Sequence, residues 1–380
     1  MDLCLVVDHA CNLRCRYCYT GDKLRRPMHP DVGRRAIDFA LLRRPARLDL
    51  SYFGGEPLLR LDLLQDLARY ALDRAGEIPT RVVLNTNATL VDDDVVAWVR
   101  SLRACEAIVS LDGPADVHDR CRIDGAGRGS HARVREGIRR LREAGARVTT
   151  VAVISPETAA RLGDVVRELL DVGGERIVLA PNYRTPWSEA ALGDCTSGLR
   201  AAADAWMDHF RSGGHQLLEP LAAKILSHLY GGSPCAARCQ LAGKELAVAP
   251  SGRIYPCGQL VTEDSDDRHV VGDLERGIDP AALARLQASK DRVYAHCAEC
   301  ALRHRCDSQC GCNHVALTGE MGRITGTLCE IESRFIEAAD RVGETLHAEG
   351  CPAFRERFYE RPWRPADGSQ LVALRRSRDA

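Results

Sequence analysis

Short apolar runs alternate with amphipathic stretches along roughly the first half of the chain. The runs rich in branched residues predict strands, and the stretches between them carry apolar residues at helical spacing, such as Val134, Ile138 and Leu141. The predicted strands lie at 3–7, 48–53, 81–86, 107–111, 147–154 and 176–180. This alternation is typical of a parallel βα domain, and a full eight-stranded barrel would need two more strands.

The pattern changes in the second half of the chain. Residues 197–230 are predicted to be helical, whereas from 235 to 330 cysteines are dense and apolar periodicity fades. We therefore expect a second domain that is held together by bound metal. A last helix is predicted from Glu330 to about His347, and a polar, disordered tail past about Arg364. The predicted domain ranges are 1–230, 231–330, 331–363 and 364–380.

Composition excludes several classes of protein. The net charge of the 380 residues is -1 and the basic residues are scattered, so nucleic-acid binding is disfavoured. No apolar run approaches the roughly 18 residues of a membrane span, and no export signal is present, which predicts a cytoplasmic protein without a membrane partner. Seventeen cysteines in a reducing compartment are better explained by metal or cluster ligation than by disulfides.

Three cysteines follow the first strand at a spacing of three and then two residues: Cys11, Cys15 and Cys18. Three thiolates can hold a 4Fe-4S cluster at three of its irons. The fourth iron then has an open position, which is where a substrate can bind. A zinc knuckle is the alternative, but a structural zinc site would need a fourth ligand such as His9 or His29.

This segment resembles the radical S-adenosylmethionine (SAM) family, whose signature CxxxCxΦC has an aromatic residue at Φ, here Tyr17. The resemblance implies that the amino and carboxylate groups of SAM chelate the open iron, and that one electron produces a 5'-deoxyadenosyl radical. Gly54, Gly55 and Glu56 resemble the family's GGE element for the SAM amino group, and glycines permit a close backbone approach.

A second group of residues resembles the peptide and protein maturases of this family. It comprises residues 110–114, with Ser110 and Asp112, and residues 118–122, which end at Arg122. The resemblance implies that Ser110 and Arg122 hold the SAM carboxylate or ribose, with Asp112 beside them. A guanidinium can grip a carboxylate through two parallel hydrogen bonds. Asn85, at the end of the third strand, is a further predicted SAM contact.

The later cysteines resemble the SPASM pattern of auxiliary-cluster domains. The resemblance implies a first auxiliary 4Fe-4S cluster held by Cys235, Cys239, Cys257 and Cys310, and a second held by Cys297, Cys300, Cys306 and Cys329. With the SAM-cleaving cluster, three clusters are predicted. Cys312 is left out of both sets, and the remaining cysteines are expected to be structural.

The predicted fold is therefore α/β, a partial (β/α)6 TIM-like barrel followed by a SPASM domain. The resemblance implies an enzyme that modifies a ribosomally made precursor peptide, by carbon-carbon or thioether cross-linking, with a reducing partner such as flavodoxin or ferredoxin. Because ten residues precede Cys11, no separate leader-binding domain is expected at the N-terminus.

Three other functions are weighed against this one. A sulfatase-type maturase that forms formylglycine is the main alternative, although such maturases typically have an aspartate base after the cysteine that corresponds to Cys257, where this chain has Gly258. Dehydrogenation of a small alcohol is a further alternative. A pure electron carrier would have no need of the three-cysteine site. No general base stands out by motif.

Overall fold

The computed structural model describes residues 1–232 and 239–360 of the chain. Its strands form one sheet in the order β11-β10-β9-β8-β1-β2-β3-β4-β5-β6-β7. The strands are β1 (Asp2–Asp8), β2 (Leu48–Gly54), β3 (Thr80–Thr86), β4 (Cys105–Ser110), β5 (Arg147–Ile154), β6 (Arg176–Pro181), β7 (Leu217–Glu219), β8 (Glu245–Val248), β9 (Arg253–Tyr255), β10 (Gly272–Asp273) and β11 (Gly277–Ile278). From β8 through β1 to β7 every pairing is parallel, and β9 to β11 continue the sheet as antiparallel strands.

All six strands predicted from the sequence are confirmed. The two further parallel strands were not predicted: β7 is only three residues long, and β8 begins at Glu245 inside the cysteine-rich region. β8 pairs with β1, where Leu246 lies opposite Leu3. A strand from beyond residue 230 thus completes the parallel sheet, and the domain boundaries given above remain predictions.

The helices cover the sheet and the cysteine-rich region. They are α1 (Pro30–Leu41), α2 (Leu61–Ala75), α3 (Asp93–Ser101), α4 (Ala115–His118), α5 (His131–Glu143), α6 (Leu162–Val172), α7 (Glu189–Arg211), α8 (Leu221–Tyr230), α9 (Pro280–Lys290), α10 (Ala295–Ala298), α11 (Gly311–Thr318), α12 (Gly326–Ala348) and α13 (Pro352–Arg355). The region 197–230 contains β7 as well as helix, and the predicted last helix begins earlier, at Gly326. The predicted tail lies outside the described residues.

The apolar faces seen in the sequence pack on the sheet. Val134, Ile138 and Leu141 of α5 are buried, as are Val166 and Leu169 of α6. Each such side chain contributes roughly 1.5–3 kcal/mol when it is fully removed from water. Among the helices of the described ranges, none has the length and apolar character needed to cross a membrane.

The parallel strands bring several loops to one edge of the sheet. Their carboxyl ends share an edge because the strands run in the same direction. β1 leads into the three-cysteine loop, β2 ends at Gly54, β3 at Thr86 and β4 at Ser110. Motifs that are distant in sequence therefore become neighbours at this edge.

Candidate active site

The loop with Cys11, Cys15 and Cys18 is held by main-chain contacts to the segment after α4. The Arg14 amide donates to the carbonyl of Ile123 at 2.6 Å, and the Arg16 amide donates to the carbonyl of Cys121 at 3.0 Å. All three cysteine side chains border one cavity. The loop thus presents its three thiols to a common space.

The three thiols differ in how readily they ionise. Burial raises the pKa of Cys11 to about 11 and also raises the pKa of Cys15. Burial acts on Cys18 in the same direction, but hydrogen bonds with Lys23 and Thr20 outweigh it and lower the Cys18 pKa. The Lys23 Nζ lies 2.8 Å from the Cys18 Sγ. The ammonium group of Lys23 thus favours the thiolate form of Cys18 more than the surroundings favour that of Cys11 or Cys15.

Gly54 and Gly55 allow the end of β2 to lie directly against the start of the cysteine loop. A Cβ on Gly54 would lie 2.2 Å from the Asp8 carbonyl oxygen, and one on Gly55 would lie 2.1 Å from the Ala10 carbonyl oxygen. Gly54 also has a φ of +132°, which side chains rarely allow. Both glycines border the cavity, so their bare backbone is available to a ligand.

Glu56 is buried behind this backbone. Its carboxylate accepts hydrogen bonds from the Leu58 amide at 3.0 Å, the Thr86 hydroxyl at 2.7 Å and the Asn87 amide at 2.7 Å. Burial raises its pKa to about 7, while these hydrogen bonds act in the opposite direction. Thr86 and Asn87 border the cavity, so the structure connects Glu56 to the cavity through these two residues.

We expect the substitution Glu56→Gln to lower the free energy of unfolding by roughly 1–3 kcal/mol, because the new amide group would face a buried N–H donor instead of accepting from it. Urea unfolding measures the change. Glu77→Gln, at an exposed site before β3 at the opposite edge of the sheet, is the control and should leave stability unchanged. Equal stability of the two variants would contradict the role given to the Glu56 carboxylate.

Asp112 and Arg122 form a buried ion pair at the end of β4. The Arg122 Nε lies 2.9 Å from one Asp112 carboxylate oxygen, and its terminal nitrogen lies 3.1 Å from the other. The Tyr17 hydroxyl and the Val153 amide also donate to this carboxylate. Arg122 borders the cavity and is 6% exposed, so it is not a surface arginine. The pair ties the cysteine loop to β4 and β5.

Ser110 and Asn85 also border the cavity. The Asn85 amide nitrogen donates to the Ser51 hydroxyl and to the Tyr52 carbonyl, both at 3.0 Å. These bonds hold the Asn85 side chain across the top of β2 and β3. The structure therefore brings Tyr17, Gly54, Gly55, Asn85, Ser110 and Arg122 to one wall.

The cavity extends well beyond this wall. Its volume is about 730 Å³, within the range of ligand sites in proteins. Other residues that the sequence analysis did not select also line it. Asn87 and Tyr19 belong to the segments after β3 and after Cys18, whereas Asn182, Tyr183, Arg184, Gln259, Asn313, Glu332 and Phe335 come from loops and helices that carry no recognisable motif. Arg184 lies over the Tyr19 ring, with its Cζ 4.4 Å from the ring centre.

The second cysteine array reaches the same cavity through Cys239 and Cys310. Cys312 is buried, and its thiol is hydrogen-bonded to those of Cys257 and Cys310. Burial raises the pKa of Cys329, and nearby Cys297 and Cys300 raise it further. The predicted ligand Cys235 lies outside the described residues.

The remaining cysteines are positioned as packing residues. Cys4, Cys105, Cys195 and Cys351 are buried, and Cys121 is half-buried. Each is free of disulfide bonds. Their surroundings agree with the structural role expected from the sequence.

Residues 5–169 match the sequence model of the Radical SAM superfamily. The match begins in β1, covers the three-cysteine loop and ends in α6. This part of the chain is similar to the radical SAM superfamily, and the curated relatives include anaerobic sulfatase-maturating enzymes and a PqqA peptide cyclase, which supports an enzyme that modifies peptides. Members of this family use a 4Fe-4S cluster and SAM. The three thiols and the bare glycine backbone at one cavity wall fit these groups.

The matches to curated relatives extend beyond residues 5–169. A serine-type anaerobic sulfatase-maturating enzyme of Klebsiella aerogenes is 27% identical over 332 residues, which cover 79% of this chain and 77% of that protein. A PqqA peptide cyclase of Rhodopseudomonas palustris is 24% identical over 367 residues, covering 91% and 90%. A shorter match to an uncharacterized protein of Methanocaldococcus jannaschii is 27% identical and spans 60% of that protein.

Solved structures share the fold. Native anSMEcpe with bound AdoMet and Cp18Cys peptide superposes with a TM-score of 0.75 at 18% identity, covering 92% of this chain and 100% of that one. Streptococcus suis SuiB bound to its precursor peptide SuiA gives a TM-score of 0.59 at 16% identity, covering 83% and 72%. The likeness to anSMEcpe extends through the cysteine-rich region.

Proposed function

We propose that this enzyme uses SAM to modify a side chain of a ribosomally made peptide by forming a carbon-carbon or thioether cross-link. The observation that carries the proposal is the continuous cavity, which borders the three-cysteine loop at one side and Cys239 and Cys310 at the other. A substrate in this cavity would lie between the site of SAM cleavage and the auxiliary-cluster region. Hydrogen abstraction from the peptide and removal of an electron from the resulting peptide radical could then occur in the same cavity.

Particular residues have separate roles in this proposal. Cys11, Cys15 and Cys18 would hold the SAM-cleaving cluster, which with SAM supplies a 5'-deoxyadenosyl radical for hydrogen abstraction. Gly54 and Gly55 would accept the SAM amino group against their backbone. Asn85, Ser110 and Arg122 would bind its polar groups, and Tyr17 would line the site beside them. Asp112 and Glu56 would hold these residues in position from behind.

A peptide substrate is supported by the shape of the cavity and by the relatives. The cavity extends beyond the wall proposed to bind SAM and reaches α11 and α12, which leaves room for a second molecule. Two structures of similar fold hold a peptide by their titles, and one relative is named as a peptide cyclase. Closing a cross-link requires loss of one electron after hydrogen abstraction, and a fully ligated auxiliary cluster could accept it. A flavodoxin or ferredoxin would supply the reducing electron.

Formylglycine formation in a sulfatase is the second candidate, favoured by the 27% identity to a sulfatase-maturating enzyme over 79% of this chain. The surroundings of Gly258 weigh against it. A Cβ at this position would lie 3.1 Å from the Cys4 Sγ and 3.5 Å from a Glu245 carboxylate oxygen. The Gly258 amide also donates to Glu245 at 2.7 Å. An aspartate base would therefore be crowded and would face another carboxylate.

Co-expression with a short peptide encoded beside the gene, followed by mass spectrometry and fragmentation, tests the proposal. A cross-link removes two hydrogens from the peptide, whereas epimerisation leaves its mass unchanged. The same peptide expressed with a Cys15→Ala enzyme is the control. If no such peptide is altered while a sulfatase peptide gains formylglycine, the second candidate replaces the first.

Three clusters predict on the order of twelve irons per chain after anaerobic reconstitution. Cys235→Ala should lower this content towards about eight, because a ligand of the first auxiliary cluster is lost. Cys312→Ala is the matched variant and should keep about twelve irons. The opposite pattern would make Cys312 the ligand, since its thiol already contacts Cys257 and Cys310. Saturation near four irons would contradict the auxiliary clusters altogether.

A further inference from the structure

His118, the last residue of α4, is fully buried behind the cavity wall. Its Nδ1 accepts a hydrogen bond from the Asp112 amide at 3.1 Å, and its Nε2 lies 2.9 Å from the Ser130 hydroxyl. Ser130 in turn donates to the Arg122 carbonyl at 2.8 Å. The ring thus joins the main chain at Asp112 to the main chain at Arg122.

These contacts determine the protonation of the ring. The Asp112 amide can only donate, so Nδ1 carries no proton. The Ser130 hydroxyl has one hydrogen, which it gives to Arg122, so Nε2 must be the donor to Ser130. Burial and the nearby Arg122 charge lower the pKa of His118 to about 4, so the ring is neutral near pH 7. A neutral ring with one fixed tautomer is suited to a positioning role.

Ser130 is itself held in place by Asp119, the residue that follows His118 in the sequence. The Asp119 carboxylate accepts from the Ser130 amide at 2.8 Å and from the His131 amide at 2.9 Å. Gly129 permits this approach, because a Cβ there would lie 2.2 Å from the Asp119 Cγ. His118 and Asp119 together therefore fix the turn that precedes α5.

We propose that His118 is a positioning residue for SAM binding, which holds Asp112 and Arg122 so that the Arg122 guanidinium and the Tyr17 ring face SAM. The inference rests on the proposed function, in which this wall of the cavity binds SAM. The Asp112 carboxylate also accepts from the Tyr17 hydroxyl, so a shift of the β4 end would move both the Arg122 and the Tyr17 side chains. His118 is not among the residues that border the cavity, so it acts through these two residues.

The test compares SAM affinity in reconstituted variants by equilibrium dialysis. His118→Leu leaves the Asp112 amide without its acceptor and the Ser130 oxygen without its donor, and we expect about tenfold weaker SAM binding at unchanged iron content. His118→Asn keeps an acceptor near the position of Nδ1 and should recover part of the affinity. Ser130→Ala breaks the other end of the chain of hydrogen bonds and should weaken binding as well. The rate of SAM cleavage at saturating SAM should change less than the affinity.

His131→Asn is the matched control. The His131 ring lies 5.7 Å from that of His118, edge to face, but it is paired with Glu168 on the outer side. The His131→Asn variant should bind SAM with the same affinity as the wild-type protein. If wild-type protein binds SAM and all His118 and Ser130 variants bind it equally well, the inference is wrong and the proposed function stands. If wild-type protein fails to bind SAM, the proposed function itself fails. Should His118→Leu not fold, the Ser130→Ala result decides.

Discussion

Replacing Cys11, Cys15 and Cys18 together with alanine is expected to abolish formation of 5'-deoxyadenosine, while about eight of about twelve irons remain. The three side chains face one cavity next to Gly54 and Gly55, and they are the thiols that would hold the SAM-cleaving cluster. The auxiliary-cluster cysteines belong to a different part of the chain and would keep their metal. Iron analysis and chromatography of the products under anaerobic conditions measure both quantities.

Cys121→Ser is a suitable control for this variant. Cys121 is half-buried and lies beside the cysteine loop, where its carbonyl accepts from Arg16. The variant should retain both iron and SAM cleavage. Retained cleavage in the triple alanine variant would show that the active site has been placed wrongly.

Replacing Lys224 with methionine is expected to lower the free energy of unfolding by about 3–5 kcal/mol, because it would leave a buried carboxylate without its cation. The Lys224 side chain is 2% exposed, and its Nζ donates to Glu332 at 2.8 Å, Asp307 at 2.9 Å and the Arg305 carbonyl at 2.6 Å. Glu332 is 7% exposed and also accepts from the Asp307 amide at 2.9 Å. The lysine thus joins α8 to α12 and to the segment that carries Cys306.

Urea unfolding of the reconstituted protein measures this effect. Arg341→Met is the control, because the Arg341 and Asp204 side chains form an ion pair that also joins α12 to α7 but is 42% and 47% exposed. Its loss should cost no more than about 1 kcal/mol. The double variant Lys224→Met with Glu332→Gln should recover part of the stability. A Lys224→Met protein as stable as the Arg341 variant would contradict the role given to the buried lysine.

The same group of charges has a consequence for the cavity. Asp307 and Glu332 are the carboxylates among the described residues that line it, and both are bound to Lys224. Sequence reasoning named no general base, because these residues lie in no motif. Their position at the cavity wall depends on how α8 and α12 pack.

Local signals in the sequence were sufficient for much of the fold. Six strands and the buried faces of α5 and α6 follow from apolar spacing, which each segment carries by itself. The cysteine loop, the glycine pair and the residues at the end of β4 were also recognisable, because each is a short motif next to a predicted strand. The strands β7 and β8 were not recognisable, since segments of three and four residues, each with a glutamate, are too short to distinguish a strand from a loop.

The sequence by itself thus determined the resemblance to radical SAM enzymes, the positions of the parallel strands up to β6 and the three-cysteine motif after β1. The tertiary structure alone decided that β8 returns to pair with β1, that Glu56 accepts hydrogen bonds from Thr86 and Asn87, and that His118 links Asp112 to Arg122 through Ser130. The physical reason is the distance along the chain between the residues that interact. Strand patterns and ligand motifs are set by residues close together in sequence, whereas a buried hydrogen bond or ion pair joins residues that only the completed packing brings within 3 Å or so.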